Sequence, residues 1–173
     1  MGMKPTEFFD SFVLGNSDDC HANPGCVRRA FNTAVAASHL ADHYLEFNLR
    51  HNPKLVAGFL TIGPFVAHIS TCTKGAFKDI RSIANAYKHL YTDSNTGVSA
   101  HSTVNSSGAI ESVELPGSDD LTYIAEEYSA GPTPDSGKFS VVFTRRDGSR
   151  SEFLPVLQAT IAYWHTKIYR DGA

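Results

Sequence analysis

The chain has 173 residues, of which 42% are hydrophobic and 19% are charged, and its formal net charge is −3. These values are typical of an ordinary globular protein and exclude a long disordered chain, so we predict a single domain over residues 1–173. The acidic balance argues against a dedicated duplex-binding protein, because such a protein carries an extended basic face.

Two predicted helices begin the chain. Residues 5–14 indicate a short helix that stops at a polar loop over residues 15–19. Residues 26–52 indicate a long helix, because apolar residues recur on one arc and neither Gly nor Pro interrupts them. We expect this helix to end before Pro53.

Two further helical segments follow. Residues 54–71 predict one or two helices with a break at Gly63 and Pro64, because proline lacks an amide donor and clashes with the preceding turn. Residues 74–92 predict another helix, stopped by the polar run TDSNTG. The apolar run in the first segment is too short and too interrupted to span a bilayer, so we expect no membrane partner.

The pattern changes to short strands after Gly97. Two runs predict hairpins: STVNSSGAIESVEL, with a turn at residues 105–108, and KFSVVFTRRDGSRSEF, with a turn at Asp147 and Gly148. Residues 121–128 predict a further strand. The chain then returns to helical spacing, with Pro155 placed where a first helical turn tolerates it.

The order of these elements predicts an α+β fold. We expect a mainly antiparallel helical bundle from residues 5–92 and 153–170, with a small antiparallel sheet inserted at residues 98–152. The C-terminal helix carries a periodic apolar face at Leu157, Ile161, Trp164 and Ile168. That face should pack the last helix against the first bundle segment.

Cysteine usage and absent motifs narrow the function classes. The three cysteines have no CxxC spacing, which fits a reducing compartment and therefore a cytoplasmic protein. The sequence contains no GxGxxG, Walker, GxSxG or HExxH motif. These absences argue against a nucleotide-cofactor enzyme, an α/β hydrolase and a zincin, and no cofactor is required by any motif.

A polar stripe borders the apolar face of the predicted helix at residues 74–92. Arg81, Asn85 and His89 follow one another at steps of four, and Lys88 lies beside them. Half-buried border positions need hydrogen-bond partners, so the stripe indicates either a site or a structural network. In the structural interpretation, His89 and Lys88 offset the negative end of the helix macrodipole.

Residues 81–89 fit the pattern Arg-x-Ile-Ala-Asn-x-x-Lys-His, and a His-x-x-Asp pair at His39 and Asp42 precedes them. With these motifs, residues 26–91 resemble an uncharacterised family of bacterial helical proteins and, more distantly, HEPN domains. In HEPN domains an Arg and a following His on one helix line an RNA-cleaving site, commonly across a homodimer. The resemblance therefore implies RNA as a partner and Arg81 and His89 as the catalytic pair. We expect Asn85 and Lys88, on the same helix, to support this catalytic pair.

The chemistry of such a site needs two groups. A base must take the 2′-hydroxyl proton, and a cation must stabilise the charge on the phosphorane. His89 would transfer the proton and Arg81 would stabilise the charge. Neither step requires a metal ion.

The predicted long helix carries a second constellation at His39, Asp42 and His43. Two histidines four residues apart lie on one helical face and, with a carboxylate, can chelate a divalent metal. A further ligand from elsewhere would be needed, with His89 and His68 as candidates. The alternative is a solvated face with ordinary i, i+4 contacts.

Two function classes remain open from the sequence. The first is an HEPN-like RNA-binding or RNA-cleaving protein. The second is a non-enzymatic, dimeric helical interaction module in which Arg81, Asp42 and His89 form a structural cluster. Both predict that the helices at residues 26–52 and 74–92 pack together, with Asp42 near Arg81, because the border groups have only one another for partners.

Overall fold

In the part of the chain that the structure describes, helices come first and last, and a three-stranded antiparallel sheet lies between them in sequence. The computed structural model describes residues 2–89, 102–115 and 139–170. The predicted α+β class, with a small sheet ahead of the last helix, is confirmed. The strand expected at residues 121–128 lies outside the described residues.

The first helix is longer than predicted, and the polar loop expected at residues 15–19 is wrong. The helix runs through three segments: α1 (Pro5–Phe8), a π-helical turn (Phe9–Leu14) and α2 (Gly15–Ala22). Side chains of α3 (Val27–His51) donate to backbone carbonyls of α2, with Thr33 Oγ1 at 2.9 Å from the oxygen of Asn16 and Arg29 Nη1 at 2.7 Å from that of Asp19. These tertiary contacts override the loop-favouring composition of the segment.

The long helix α3 confirms the prediction over residues 26–52 and ends one residue before Asn52. A 3₁₀ turn (Pro53–Val56) then leads to α4 (Ile62–Cys72). The break expected at Gly63 and Pro64 is wrong, because both residues lie in the first turn of α4, where a proline has no intrahelical donor to lose.

The next helix, α5 (Ala76–His89), begins two residues later than predicted, and residues 90–92 lie outside the described part of the chain. A tight turn with positive φ at Lys74 and Gly75 joins α4 to α5. The Gly75 amide donates to the Ser70 carbonyl at 2.7 Å, which closes the C-terminal end of α4. The turn therefore sets α4 and α5 side by side.

The sheet has the order β1 (Ile110–Glu114), β2 (Phe139–Thr144) and β3 (Arg150–Glu152). The turn at Asp147 and Gly148 between β2 and β3 is confirmed, with Gly148 at φ +83°. The hairpin expected about residues 105–108 is wrong. A 3₁₀ turn (Ser107–Ala109) leads into β1, and β1 pairs with β2, which is distant in sequence.

The helices meet around Trp164, which is fully buried on α6 (Phe153–Tyr169). Its ring centroid lies 5.5 Å from that of Tyr44 on α3, 6.4 Å from Phe65 on α4 and 6.2 Å from Phe77 on α5. The prediction that the last helix packs on the first bundle segment is thus confirmed. Over residues 2–89, 102–115 and 139–170, no helix combines the length and the apolar character that a membrane span needs.

Candidate functional site

The polar stripe predicted on α5 follows one edge of that helix. Arg81 and Asn85 are half-buried and Lys88 is exposed. His89 is the last residue of α5, and its side chain lies outside the part of the chain that the structure describes. The structure therefore describes the side chains of three of the four predicted catalytic residues.

Arg81 pairs with Asp42 of α3. Arg81 Nη1 lies 3.4 Å from Asp42 Oδ2, and the two side chains are 29% and 45% exposed. The prediction that α3 and α5 pack with these residues together is confirmed. The guanidinium uses one of its five N–H donors on this contact, and the other donors have no hydrogen-bond partner among the described residues.

The second contact across α3 and α5 joins His39 to Lys88. The Lys88 ammonium lies 2.6 Å from His39 Nε2, which makes the imidazole nitrogen the acceptor. Partial burial and the Lys88 charge lower the pKa of His39 below its ordinary value, and Arg81 adds to this effect while Asp42 opposes it. The neutral ring is the form that accepts a hydrogen bond from Lys88.

The predicted metal ligands take separate partners. His43 Nε2 lies 2.8 Å from the Met3 carbonyl, and its ring stacks on Phe8 of α1 at 5.0 Å. His39 is held by Lys88, and Asp42 by Arg81. No group of three His, Cys, Asp or Glu residues suited to a metal ion occurs within the described ranges. A divalent-metal site at His39, Asp42 and His43 therefore stays a prediction that lacks a placed further ligand.

A groove of about 500 Å³ lies between α4 and α5, on the side of Arg81. Its described lining combines an apolar wall from α4 with a polar wall from α5. Among described residues the lining consists of Gly63, Val66, Ala67 and Ser70 on α4 and Lys78, Arg81, Ser82 and Asn85 on α5. Two predicted site residues, Arg81 and Asn85, thus share one concave surface.

Most of the hydrogen-bonding groups that the described lining of this groove offers to a ligand are N–H donors, from Lys78, Arg81 and Asn85. The two serines add no free donor, because the Ser70 and Ser82 hydroxyls already donate to the Val66 and Lys78 carbonyls and Ser82 Oγ accepts from the Thr103 amide. The Lys78 ammonium and the Asn85 amide have no side-chain partner among the described residues. Free donors with a positive charge favour an anionic ligand.

The net charge around the groove supports the same conclusion. Lys78 and Arg81 contribute two positive charges, and Asp42 contributes one negative charge through its pair with Arg81. One positive charge remains among the described residues, which matches a single phosphodiester or carboxylate. Val66 and Ala67 face this charge with a surface that water solvates poorly.

The structure also contains a polar cluster that sequence reasoning missed. Arg145, from the hairpin after β2, donates hydrogen bonds to the Asp79 carboxylate of α5. Its Nε lies 3.1 Å from both carboxylate oxygens, and its Nη2 lies 2.7 Å from Oδ2. Thr103 Oγ1 donates to the same carboxylate at 2.7 Å. Asp79 is only 7% exposed, so this cluster fixes the sheet insertion to α5.

Sequence signals for the missed residues are uneven. Lys78 lies one turn before Arg81 on the same helix, so an extended stripe would have included it. Val66 and Ala67 gave no signal, because their role depends on how α4 packs beside α5.

No family model, no curated protein and no solved structure matches the chain.

Proposed function

We propose that the protein binds RNA in the groove between α4 and α5, with Arg81 as a phosphate contact. The observation that carries this proposal is Arg81 itself, which lines the groove while Asp42 holds it with a single hydrogen bond. Guanidinium groups with several free donors suit phosphate oxygens. The resemblance of residues 81–89 to HEPN domains supports the same ligand.

Cleavage of the bound RNA is the catalytic form of this proposal. His89 would remove the proton of a 2′-hydroxyl as that oxygen bonds to the phosphorus, and Arg81 would stabilise the negative charge. The bond from phosphorus to the 5′-oxygen of the next nucleotide would break, which leaves a 2′,3′-cyclic phosphate, and the departing 5′-oxygen would take a proton from water. The two residues are eight positions apart, which is about 12 Å along a helix axis. Both side chains must therefore extend toward one phosphate for cleavage, whereas binding needs only Arg81.

A structural module is the second candidate, and a specific observation favours it. The pairs formed by Arg81 with Asp42 and by Lys88 with His39 both join α3 to α5. In this candidate the polar stripe stabilises a non-enzymatic, dimeric interaction module. It predicts that removing Arg81 lowers stability and that no RNA is bound.

The test compares RNA binding, RNA cleavage and melting temperature in the same variants. We expect the wild type to bind single-stranded RNA and Arg81→Ala to bind it at least about tenfold more weakly, with a nearly unchanged melting temperature. His89→Ala should lose cleavage and keep binding. Arg50→Ala is the matched control, because Arg50 is 74% exposed and, among the described residues, pairs with Glu46 on its own helix.

A wild type that binds no RNA, together with a destabilised Arg81→Ala variant, overturns the proposal and supports the structural module. The oligomeric state of the wild type, measured by light scattering, tests the homodimer that both candidates include.

A further inference from the structure

We propose that the groove between α4 and α5 seats one unpaired nucleotide of a single strand, with its base against Val66 and Ala67 and its phosphate at Lys78 and Arg81. This inference rests on the proposed RNA binding and adds the form of RNA that the site accepts. It also assigns roles to three residues outside the polar stripe predicted from the sequence.

The size of the groove fits one nucleotide. Its volume of about 500 Å³ lies within the range of small-molecule pockets, and the described lining comes from only two helices. A double helix of two paired strands is too wide to enter a groove that lies between two neighbouring helices. An RNA duplex would therefore contact the rim and leave the groove empty.

The apolar wall indicates a flat, weakly hydrated group. Gly63, Val66 and Ala67 present a surface without hydrogen-bonding side chains, and a base face covers such a surface well. Within a duplex both faces of each base are stacked on neighbouring bases. Only an unpaired, unstacked base can reach the wall, which is the usual way in which proteins read RNA.

The charge of the groove matches one phosphodiester. Lys78 and Arg81 lie one turn apart on α5, and Asp42 offsets one of their two charges. Lys78 has no ion-pair partner among the described residues, so its charge is available to a ligand. One phosphate at this position neutralises the remaining charge.

Asn85 supplies a group for the base edge. It lies one turn beyond Arg81, and its half-buried amide has no hydrogen-bond partner among the described residues. A carboxamide offers a donor and an acceptor side by side, which is the pattern that base edges present. An aliphatic carboxylate would fit the charge of the groove but would offer no donor to the oxygen of this amide.

The test measures fluorescence anisotropy with three probes of about 12 nucleotides, a length within the site size of single-strand binders. The probes are oligo(A), its duplex with oligo(U), and an abasic strand that keeps the phosphates. We expect oligo(A) to bind the wild type at least about tenfold more tightly than the other two probes. Asn85→Ala should weaken oligo(A) binding about tenfold and leave the abasic strand unchanged.

Two matched pairs of variants locate the contact. Ala67→Leu fills the groove and should weaken oligo(A) binding at least about tenfold, whereas Ala159→Leu on the exposed face of α6 should not. Lys78→Ala should reduce the slope of log affinity against log salt by about 0.7, the value for one phosphate contact in a single strand. Lys54→Ala, which removes an exposed charge outside the groove lining, should leave the slope unchanged.

The results distinguish the inferred nucleotide site from the proposal of RNA binding on which it rests. Equal affinity for oligo(A), the duplex and the abasic strand, with Ala67→Leu unaffected, overturns the nucleotide seat while RNA binding stands. Failure of the wild type to bind any of the three probes overturns RNA binding as well.

Discussion

The Arg81 guanidinium lies 3.4 Å from the Asp42 carboxylate and joins α5 to α3 beside the groove. Both side chains are partly exposed, so solvent screens the pair and the attraction adds little to stability. Its effect is to orient Arg81. Arg81 makes no other hydrogen bond within the described ranges, so this weak contact leaves its remaining donors available to a ligand, as a binding role requires.

The first prediction concerns the energy of this pair. A double-mutant cycle with Arg81→Ala and Asp42→Ala, measured by urea unfolding, should give a coupling of about 0.5–1 kcal/mol. The expected value is small because both groups remain in contact with water. A coupling above about 2 kcal/mol would mean that the pair is a principal structural contact.

The second prediction concerns Asp79, which the Arg145 guanidinium and the Thr103 hydroxyl contact together. Asp79→Ala should lower the free energy of unfolding by about 2–4 kcal/mol, because Arg145 and Thr103 lose the buried carboxylate to which they donate. Urea unfolding measures this loss.

A matched control for Asp79→Ala is Glu111→Ala. Glu111 pairs with Arg150 on the sheet surface, where the two side chains are 55% and 54% exposed. This substitution should cost less than about 1 kcal/mol. Equal losses for the two variants would contradict the importance of the buried pair.

The position of Arg81 near Asp42 could be predicted from sequence because each residue borders the apolar face of a long, regular helix. When two such faces pack, the residues at their edges meet. The pair of Asp79 and Arg145 could not be predicted in this way. These residues are 66 positions apart, and their contact depends on where the inserted sheet docks.

The groove could be predicted only on its α5 side. The sequence predicted a helix break at Gly63 and Pro64, whereas α4 begins just before them. The face of α4 that lies toward α5 could therefore not be predicted from the sequence. The same limit applies to residues 15–19. Their composition favours a loop, but Thr33 and Arg29 stabilise them as helix through contacts that no local rule contains.

The third prediction concerns the dependence of stability on pH. Burial and Lys88 lower the pKa of folded His39 below its unfolded value, so the unfolded chain binds more protons between these two values. Stability from His39 should therefore rise with pH through this window and be lost as pH falls below about 6.5. Asp42 partly offsets the effect, and Arg81 strengthens it.

Melting temperatures from about pH 5 to 7.5 check this sign. His39→Gln should flatten the rise seen in the wild type, because glutamine does not titrate. His165→Gln, at an exposed position on α6, should retain the wild-type slope. Parallel curves for the wild type and His39→Gln would contradict the role assigned to His39.

The fourth prediction concerns the three free thiols. Burial, with a smaller effect from Cys26, raises the pKa of Cys20 to about 11, so only about one part in a thousand is thiolate at pH 8. Ellman's reagent should modify exposed Cys72 first and reach Cys20 only after unfolding. Cys72→Ser should remove the fast phase. A lower native thiol count in Cys20→Ser would contradict the buried assignment.

Hydrogen exchange with and without single-stranded RNA tests the central claim most directly, because it reports where RNA binds as well as whether it binds. Binding in the groove predicts slower exchange in α4 and α5, over Ile62–Cys72 and Ala76–His89, and little change in β3 or α6. Arg81→Ala should abolish this protection at the same RNA concentration. Protection confined to the hairpin of β2 and β3, or no protection at a saturating RNA concentration, would contradict the claim.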